Sequence, residues 1–302
     1  MDRRYAIWDV FTSAPLTGNP LAVVLDAGGL SASEMQAIAR EFNLSETVFV
    51  LPPRLPAHTA YIRIFTPFTE LQFAGHPTVG AAIQLAEDRI SGAAADCDAL
   101  VVLEEGIGTI RAGVVGRRGR APYAEFDVPR LPELCGAPAH EDRIAAALGL
   151  APREIGFANH RPTQYEAGTP FAFVPVRDLG TISRAQIQPA HWDEAFRGTN
   201  GKVFLYCRET IQHMAAFHVR VFAPSVGVPE DPATGSAAAA FAAVIHRFDQ
   251  PPEGTSEFTI EQGIEMGRPS EIKLEIEVAC RQVKRVRIGG YARLVMRGKL
   301  FA

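Results

Sequence analysis

One carboxylate stands where the sequence could support proton-transfer chemistry. Glu46 ends the loop segment NLSE at residues 43–46 and precedes the apolar, strand-like segment 47–51. A carboxylate at the rim of a buried strand is partly desolvated, which disfavours its charged form and can raise its pKa towards the values that general acid/base catalysis needs. A solvated glutamate at a strand end is the commoner alternative, so the surroundings of Glu46 alone leave both interpretations open.

Two short segments could bind the negative charge that such chemistry develops. Residues 73–80 (FAGHPTVG) and 230–236 (EDPATGS) each combine Gly, Pro and small side chains before an alanine-containing run. Proline suits the first turn of a helix because its φ is fixed and it has no N–H. The first N–H groups of a helix lack partners and carry partial positive charge. Each segment is therefore predicted to begin a helix that attracts an anion, with Gly75 and Gly235 at the helix starts.

Three side chains in these segments are candidates for contact with a ligand: His76, Asp231 and Ser236. Each has a structural alternative when it is taken singly. His76 could be a capping or buried, hydrogen-bonded histidine, Asp231 could cap a helix, and Ser236 could simply occupy a helix start. Because the two segments mirror each other, we favour a functional role for all three.

The elements that must position these residues also occur twice. The pattern R-x-F-x-P precedes each turn, at residues 63–67 and 220–224, and follows an alternating pattern typical of a strand. The same order of strand, turn and helix start in each half indicates an internal duplication, with chance similarity as the alternative. The turn TGNP at 17–20 is predicted to close a hairpin, although its backbone could also face a ligand.

The helices and strands predict the fold class. Strand-like segments outnumber helical ones, which favours an α+β architecture in which a curved sheet surrounds a central helix. Ser31 and Glu34 form a capping-box pattern that predicts a helix to about residue 41, with Met35, Ile38 and Ala39 on its buried face.

Two domains are expected from the length of 302 residues. The turn at 116–119 is predicted to separate an N-terminal half, 1–118, from a C-terminal half, 119–291. The last strand, 292–302, is expected to join the first half.

Composition excludes several classes of function. The net charge is −4 and basic runs are short, so nucleic acid is not expected as a partner. No apolar stretch reaches the length of a membrane span and no signal sequence is visible, which predicts a soluble, cytoplasmic protein without a membrane partner. The four cysteines lack CxxC spacing, so neither a metal site nor a disulfide framework is expected. No GxGxxG or Walker pattern occurs, and we expect no cofactor.

Several segments together resemble the phenazine-biosynthesis isomerase (PhzF-like) family, and they run in order along almost the whole chain. They are DVFT at 9–12 with GNP at 18–20, NLSET at 43–47, RIFTP at 63–67, AGHPTVG at 74–80, EDPATGSA at 230–237, and EQG at 261–263 with MGRPS at 266–270. The resemblance implies a diaminopimelate-epimerase-like fold. In that fold two pseudo-symmetric halves, each a curled, mostly antiparallel sheet around a central helix, are separated by a cleft that holds the active site. It also implies a homodimer.

The resemblance further implies roles for particular residues. Glu46 matches the family's catalytic glutamate, which takes a proton from one carbon of the substrate and returns it at another. His76, Asp231 and Ser236 match positions that bind substrate or assist the transfer, and Gly75 and Gly235 match glycines whose N–H groups face the ligand. Related racemases of this fold need a cysteine at each helix start, and neither turn contains one.

The leading functional hypothesis is a cofactor-independent isomerase that moves a proton on a small acidic metabolite, with Glu46 as general acid/base. A non-catalytic protein that binds or senses a small molecule is the alternative on the same fold. A metal hydrolase ranks last, because the eight histidines include no HxxxH pair.

Overall fold

The computed structural model describes residues 2–89 and 96–301. The chain divides into two compact units, Met1–Pro129 with Ile288–Ala302, and Arg130–Arg287. The boundary expected from the sequence, at residue 118, precedes the strand Tyr123–Asp127. That strand pairs with the strand before it and is grouped with the first unit.

The first unit is built mainly of strands, with two helices among its described residues. The helices are α1 (Ala32–Phe42) and α2 (Gly75–Arg89). The strands are β1 (Asp2–Val10), β2 (Asn19–Val24), β3 (Glu46–Leu51), β4 (Ala60–Phe65), β5 (Glu70–Leu71), β6 (Cys97–Glu105), β7 (Gly108–Gly116) and β8 (Tyr123–Asp127). The C-terminal part of a long final strand, Gln282–Phe301, also belongs to this unit.

The strands of the first unit close into a barrel. From β1 the pairing passes through β2, β3, β4, β6, β7 and β8 to the final strand, which pairs with β1 again. The pairs β2–β3 and β4–β6 are parallel, whereas β1–β2, β3–β4, β6–β7, β7–β8 and the pair of β1 with the final strand are antiparallel. Helix α2 contacts six of these strands: β1, β2, β3, β6, β7 and β8. Its residues from Gly75 to Gln84 are all buried, as expected for a helix that contacts strands on several sides.

Helix α1 packs on another face of the sheet, against β3 and β4. The predicted capping box is confirmed, with Ser31 as N-cap and Glu34 bonding back to it, and the helix ends at a left-handed Asn43. The predicted buried face is confirmed as well: Met35, Ile38 and Ala39 are its buried residues. They pack in one cluster with residues of β2, β3 and β4, namely Val24, Phe49 and Phe65.

The second unit has the same mixture of elements. Its α-helices are α3 (Glu141–Leu148), α4 (Leu179–Arg184), α5 (Pro189–Phe196) and α6 (Gly235–Asp249). Its strands are β9 (Glu133–Gly136), β10 (Thr163–Glu166), β11 (Pro170–Pro175), β12 (Val203–Cys207), β13 (Phe217–Ala223), β14 (Val228–Asp231), β15 (Gly254–Gln262) and β16 (Ser270–Ala279), followed by the beginning of β17 (Gln282–Phe301).

Helix α6 supplies much of the apolar core of this unit. It contacts β10, β11 and β16, and the Phe241 ring packs on Phe173, Phe204, Tyr206 and Phe217. A second cluster joins α3, α4 and α5 to side chains of β11 and β12.

Local geometry repeats between the units. In β4 the guanidinium of Arg63 forms a two-pronged pair with Glu70, and in β13 Arg220 forms the same pair with Glu230. Both carboxylates stand just before the turn that leads into a buried helix. A paired fork of this kind fixes orientation as well as distance, so each turn is held to its strand in the same way.

Among residues 2–89 and 96–301, no helix combines the length and apolar character that a membrane span requires.

Candidate active site

The first unit brings Glu46 and His76 into contact. Glu46 is the first residue of β3, and His76 is the second residue of α2, whose start is buried. The carboxylate Oε2 of Glu46 lies 3.4 Å from Nε2 of His76, and the two side chains are only 15% and 4% exposed. This distance is long for a hydrogen bond. Nε2 of His76 therefore has no short hydrogen bond among the described residues, although it is buried.

The imidazole of His76 is uncharged in the folded protein. Burial lowers its pKa to about 3, because the charged form would lose its hydration. Nδ2 of Asn19 lies 3.4 Å from Nδ1 of His76. An amide that donates to Nδ1 leaves the imidazole proton on Nε2, where it faces Glu46. The pair is thus a carboxyl group beside a neutral donor, and it is not a conventional ion pair.

Asn19 is a residue that the sequence analysis did not select. It begins β2, is fully buried, and follows Gly18, whose φ of +69° suits glycine. A Cβ at Gly18 would clash with the carbonyl oxygen of Val10 and lie 2.5 Å from Cγ2 of Thr12. The hairpin predicted for this turn is present, since β1 and β2 are antiparallel with Val10 opposite Asn19. Because β2 also runs parallel to β3, the turn places Asn19 near the start of β3.

The start of α2 has the geometry expected of an anion site. Gly75 is its first residue and Pro77 its third, and both are buried. The first helical hydrogen bond runs from Thr78 N–H to the carbonyl of Ala74. The N–H groups of Gly75 and His76 therefore precede Thr78 N–H, the first donor of the helical hydrogen-bond series.

The second unit holds Asp231, Gly235 and Ser236 in one turn. Asp231 ends β14 and its Oδ2 accepts a 2.6 Å hydrogen bond from the hydroxyl of Thr234. Gly235 begins α6 and is buried, and Ser236 follows it with a partly exposed side chain. The residue before the helix is Thr234, which makes no side-chain cap.

Gln262 braces this turn and was not among the predicted site residues. Its Nε2 donates to the carbonyl of Asp231 at 2.7 Å and to the hydroxyl of Thr234 at 3.1 Å, while its Oε1 accepts from Thr234 N–H at 3.2 Å. Gln262 is fully buried at the end of β15. Only its place in the EQG segment could have pointed to it.

Other chemistries have little support among the described side chains. Within residues 2–89 and 96–301, no three His, Cys, Asp or Glu groups are arranged to hold a metal ion. Burial raises the pKa of the Cys207 thiol to about 12 and also raises that of Cys135, so both remain protonated.

Comparison with known proteins gives consistent matches along the chain. The profile of the PhzC-PhzF family, described as phenazine biosynthesis-like protein, matches residues 8–298. An uncharacterized isomerase of Mesorhizobium japonicum is 52% identical over 303 residues, covering 99% of each chain. The trans-2,3-dihydro-3-hydroxyanthranilate isomerase of Pseudomonas chlororaphis is 39% identical over 290 residues, covering 95% of each. The crystal structure of a PhzF-family phenazine biosynthesis protein of Bacillus anthracis superposes with a TM-score of 0.88, covering 100% of both chains at 24% identity, a likeness that shows the fold alone.

Proposed function

The chain belongs to the PhzC-PhzF family of phenazine biosynthesis-like proteins, and from that membership we propose that it is an isomerase that moves a proton on a small acidic metabolite. The observation that carries the proposal is the placement of Glu46 beside a buried, neutral His76 at the start of α2. We assign Glu46 the role of general acid/base. It takes a proton from one carbon of the substrate and returns it at another, so no cofactor or redox partner enters the reaction.

In this mechanism the helix starts stabilise the negative charge that develops on the substrate. Removing a proton from a carbon next to a conjugated acid builds negative charge on oxygen. Backbone N–H groups at Gly75 and Gly235 would stabilise that charge, as donors fixed in place before the reaction do in other enzymes. His76, Asp231 and Ser236 would bind the substrate or assist the transfer. A positioned acid/base group typically contributes about 10²–10⁴-fold in rate.

We also propose a fold in more detail than the sheet-rich architecture described above. We propose that the two units are pseudo-symmetric halves of one duplicated α+β design, each a curled sheet around a central helix, as in diaminopimelate epimerase. The matching forks Arg63–Glu70 and Arg220–Glu230 support this duplication. We also propose a homodimer, which sedimentation of the purified protein would test.

Hydrogen–deuterium exchange tests the function directly. The relative from Pseudomonas chlororaphis suggests trans-2,3-dihydro-3-hydroxyanthranilate as the first probe, because it is a small cyclic acid with exchangeable carbon positions. The protein is incubated with this probe, and with other small unsaturated acids, in D₂O, and NMR follows deuterium incorporation at carbon. We expect incorporation with the wild-type protein and its loss in Glu46→Gln.

The matched control is Glu41→Gln, which alters an exposed glutamate in α1. It should retain wild-type exchange. Equal exchange by wild type and Glu46→Gln would remove Glu46 from the mechanism, and tight binding of a probe without any exchange would favour a binding protein.

A further inference from the structure

A buried carboxyl group lies behind the start of α2, and the proposed mechanism does not use it. Glu105 ends β6 and is only 5% exposed. Its Oε1 lies 2.8 Å from the hydroxyl oxygen of Thr78, which is itself 2.9 Å from the carbonyl oxygen of Ala74. Ala74 is the residue immediately before the helix start at Gly75.

A count of protons relates the protonation state of Glu105 to the hydrogen bond that the Thr78 hydroxyl donates. The Thr78 hydroxyl has one proton to donate, and the Ala74 carbonyl can only accept. When Thr78 donates to Ala74, the contact between Thr78 and Glu105 is a hydrogen bond only if the carboxyl group carries the proton. The buried site thus accommodates a neutral acid that donates to Thr78.

The series of hydrogen bonds that begins at Glu105 ends at the peptide group that we propose binds the substrate. The carbonyl of Ala74 and the N–H of Gly75 belong to the same planar peptide unit. A hydrogen bond to the carbonyl polarises that unit and makes its N–H a stronger donor, and it also fixes the orientation of the plane. A main-chain hydrogen bond of 3.0 Å from Ile107 N–H to the carbonyl of Gln72 also links the segment after β6 to the turn before α2.

The second unit contains a neutral side chain at the position equivalent to Glu105. Strand register places Glu104 opposite Tyr61 and Glu261 opposite His218 in the two parallel pairs β4–β6 and β13–β15. Glu104 and Glu261 also accept equivalent bonds, each from two successive N–H groups of a turn: Arg54 and Leu55 for Glu104, and Ile211 and Gln212 for Glu261.

The next residue in each strand is Glu105 in one unit and Gln262 in the other. Gln262 is an amide, always uncharged, and it braces the turn before α6 through Thr234. A protonated Glu105 would resemble that amide, because it offers a donor as well as an acceptor to the turn before α2.

On this basis, and resting on the function proposed above, we propose that Glu105 is a positioning residue: as a neutral acid it donates to Thr78, which donates to the Ala74 carbonyl and so orients the Gly75 N–H for an anionic substrate. Ionisation of Glu105 would turn the Thr78 hydroxyl proton towards the carboxylate, and the Ala74 carbonyl would keep its main-chain bond from Thr78 N–H but lose the bond from the hydroxyl. Glu105 therefore acts on the substrate only through Thr78 and the peptide group.

The electrostatic surroundings agree with this assignment. Burial raises the pKa of Glu105 to about 8. A hydrogen bond donated by Thr78 to the ionised carboxylate would lower this pKa, but it offsets the effect of burial only in part. Of the charged or titratable groups on the elements packed around it, Glu104 of β6 pairs with His58 and Arg63 of β4 pairs with Glu70 of β5. His76 of α2 is uncharged, and Arg111 of β7 is exposed.

An amide titration tests the proposal without any substrate. In ¹⁵N-labelled protein titrated from pH 6 to 10, the amide signals of Gly75 and His76 should shift with a midpoint near pH 8. The shift should be absent in Glu105→Gln, whose amide replaces the neutral acid. In the matched control Glu104→Gln, which removes the neighbouring carboxylate, it should persist. Titration of these amides in Glu105→Gln, or no titration near pH 8 in the wild type, would overturn the proposal.

The exchange reaction supplies a second readout that a purely structural role would not change. Wild-type exchange should fall by about tenfold between pH 7 and pH 9.5, while Glu105→Gln should stay within about twofold of the wild-type value at pH 7 and lose this alkaline decline. Glu105→Leu, which removes the donor, should show a lower kcat at every pH. An alkaline decline that persists in Glu105→Gln would contradict the proposal. If no protein exchanges any probe, the proposed function fails, while the amide titration still decides the role of Glu105.

Discussion

The carboxylate of Glu46 lies 3.4 Å from Nε2 of His76, and both groups are largely removed from solvent. His76 is neutral there because burial depresses its pKa to about 3. His76 therefore places an uncharged ring, and no positive charge, beside the carboxylate that we propose as the general acid/base. The catalytic proposal and the stability of the unit therefore depend on the same uncharged ring.

The neutral state of His76 predicts how stability depends on pH. The folded-state pKa of His76, about 3, lies below the unfolded value of 6.5. Between these pH values His76 is protonated in the unfolded chain and neutral in the folded protein. Stability is therefore lost as pH falls from about 6.5 towards 3, by at most about 1.4 kcal/mol per pH unit from this residue. Urea unfolding of wild type and His76→Asn at pH 7, 6, 5 and 4 should show a shallower decline in the variant.

The control for this measurement is His191→Asn, which alters an exposed histidine of α5. It should leave the decline unchanged. A parallel decline in wild type and His76→Asn would mean that His76 takes a proton freely in the folded protein.

Substitution of Glu46 should impair catalysis and leave substrate binding nearly unchanged. Because Gln keeps the size of the side chain but cannot accept the proton, Glu46→Gln should lower kcat by about 10²–10⁴ with little change in KM. Circular dichroism should show a folded protein. Steady-state kinetics with a probe that exchanges will check this, and a variant whose KM rises while kcat stays constant would assign Glu46 to binding alone.

A fully buried histidine between two carboxylates should matter for stability. His218 lies 2.7 Å from Glu261 and 2.9 Å from Glu265 through its two ring nitrogens. Burial lowers its pKa, but these two bonds raise it more, to about 9. His218→Gln would leave the two carboxylates without their cation, and we expect a loss of about 3–5 kcal/mol in the free energy of unfolding.

The pH dependence of this group has the opposite sign from that of His76. The stabilising contribution of His218 is fully present below the unfolded pKa of 6.5 and is lost as pH rises through about 9. Denaturant unfolding at pH 6 and pH 9.5 will test both points. His58→Gln is the matched control, because among the described residues that histidine pairs with one carboxylate, Glu104, and it is 15% exposed. A loss in His218→Gln no larger than in His58→Gln would contradict the expected cost.

The sequence predicted those parts of the fold that depend on neighbouring residues. The capping box of Ser31 and Glu34 and the buried side of α1 are local patterns, and both are present. The helix starts at Gly75 and Gly235 were predicted because proline, glycine and small residues act within one turn.

Contacts made by strand register could not be predicted from the sequence. His218 and Glu261 meet because β13 and β15 pair in parallel, 43 residues apart in sequence. The brace from Gln262 to Thr234 and the contact of Asn19 with His76 also join distant segments. Glu105 gave no signal, since a glutamate at a strand end is usually solvated, and only its burial beside Thr78 shows otherwise.

The turn before Asn19 should tolerate no side chain at Gly18. Gly18→Ala would force a Cβ against the carbonyl of Val10 in a left-handed backbone conformation. Gly29 is the matched control, because its φ of +84° is equally left-handed but a Cβ there meets nothing within 4 Å. Gly29→Ala should cost about 1–2 kcal/mol from backbone strain alone, and Gly18→Ala about 1–3 kcal/mol more, because the clash adds to that strain.

Gly18→Ala should also affect the candidate active site. A shift of residue 18 would displace Asn19, whose amide lies beside Nδ1 of His76. We therefore expect Gly18→Ala to lower the rate of deuterium exchange, while Gly29→Ala retains it. Thermal unfolding and exchange measured on the two purified variants will decide. Equal stability and equal exchange in both would show that the turn relaxes without moving Asn19, and that Gly18 is required for neither the fold nor the site.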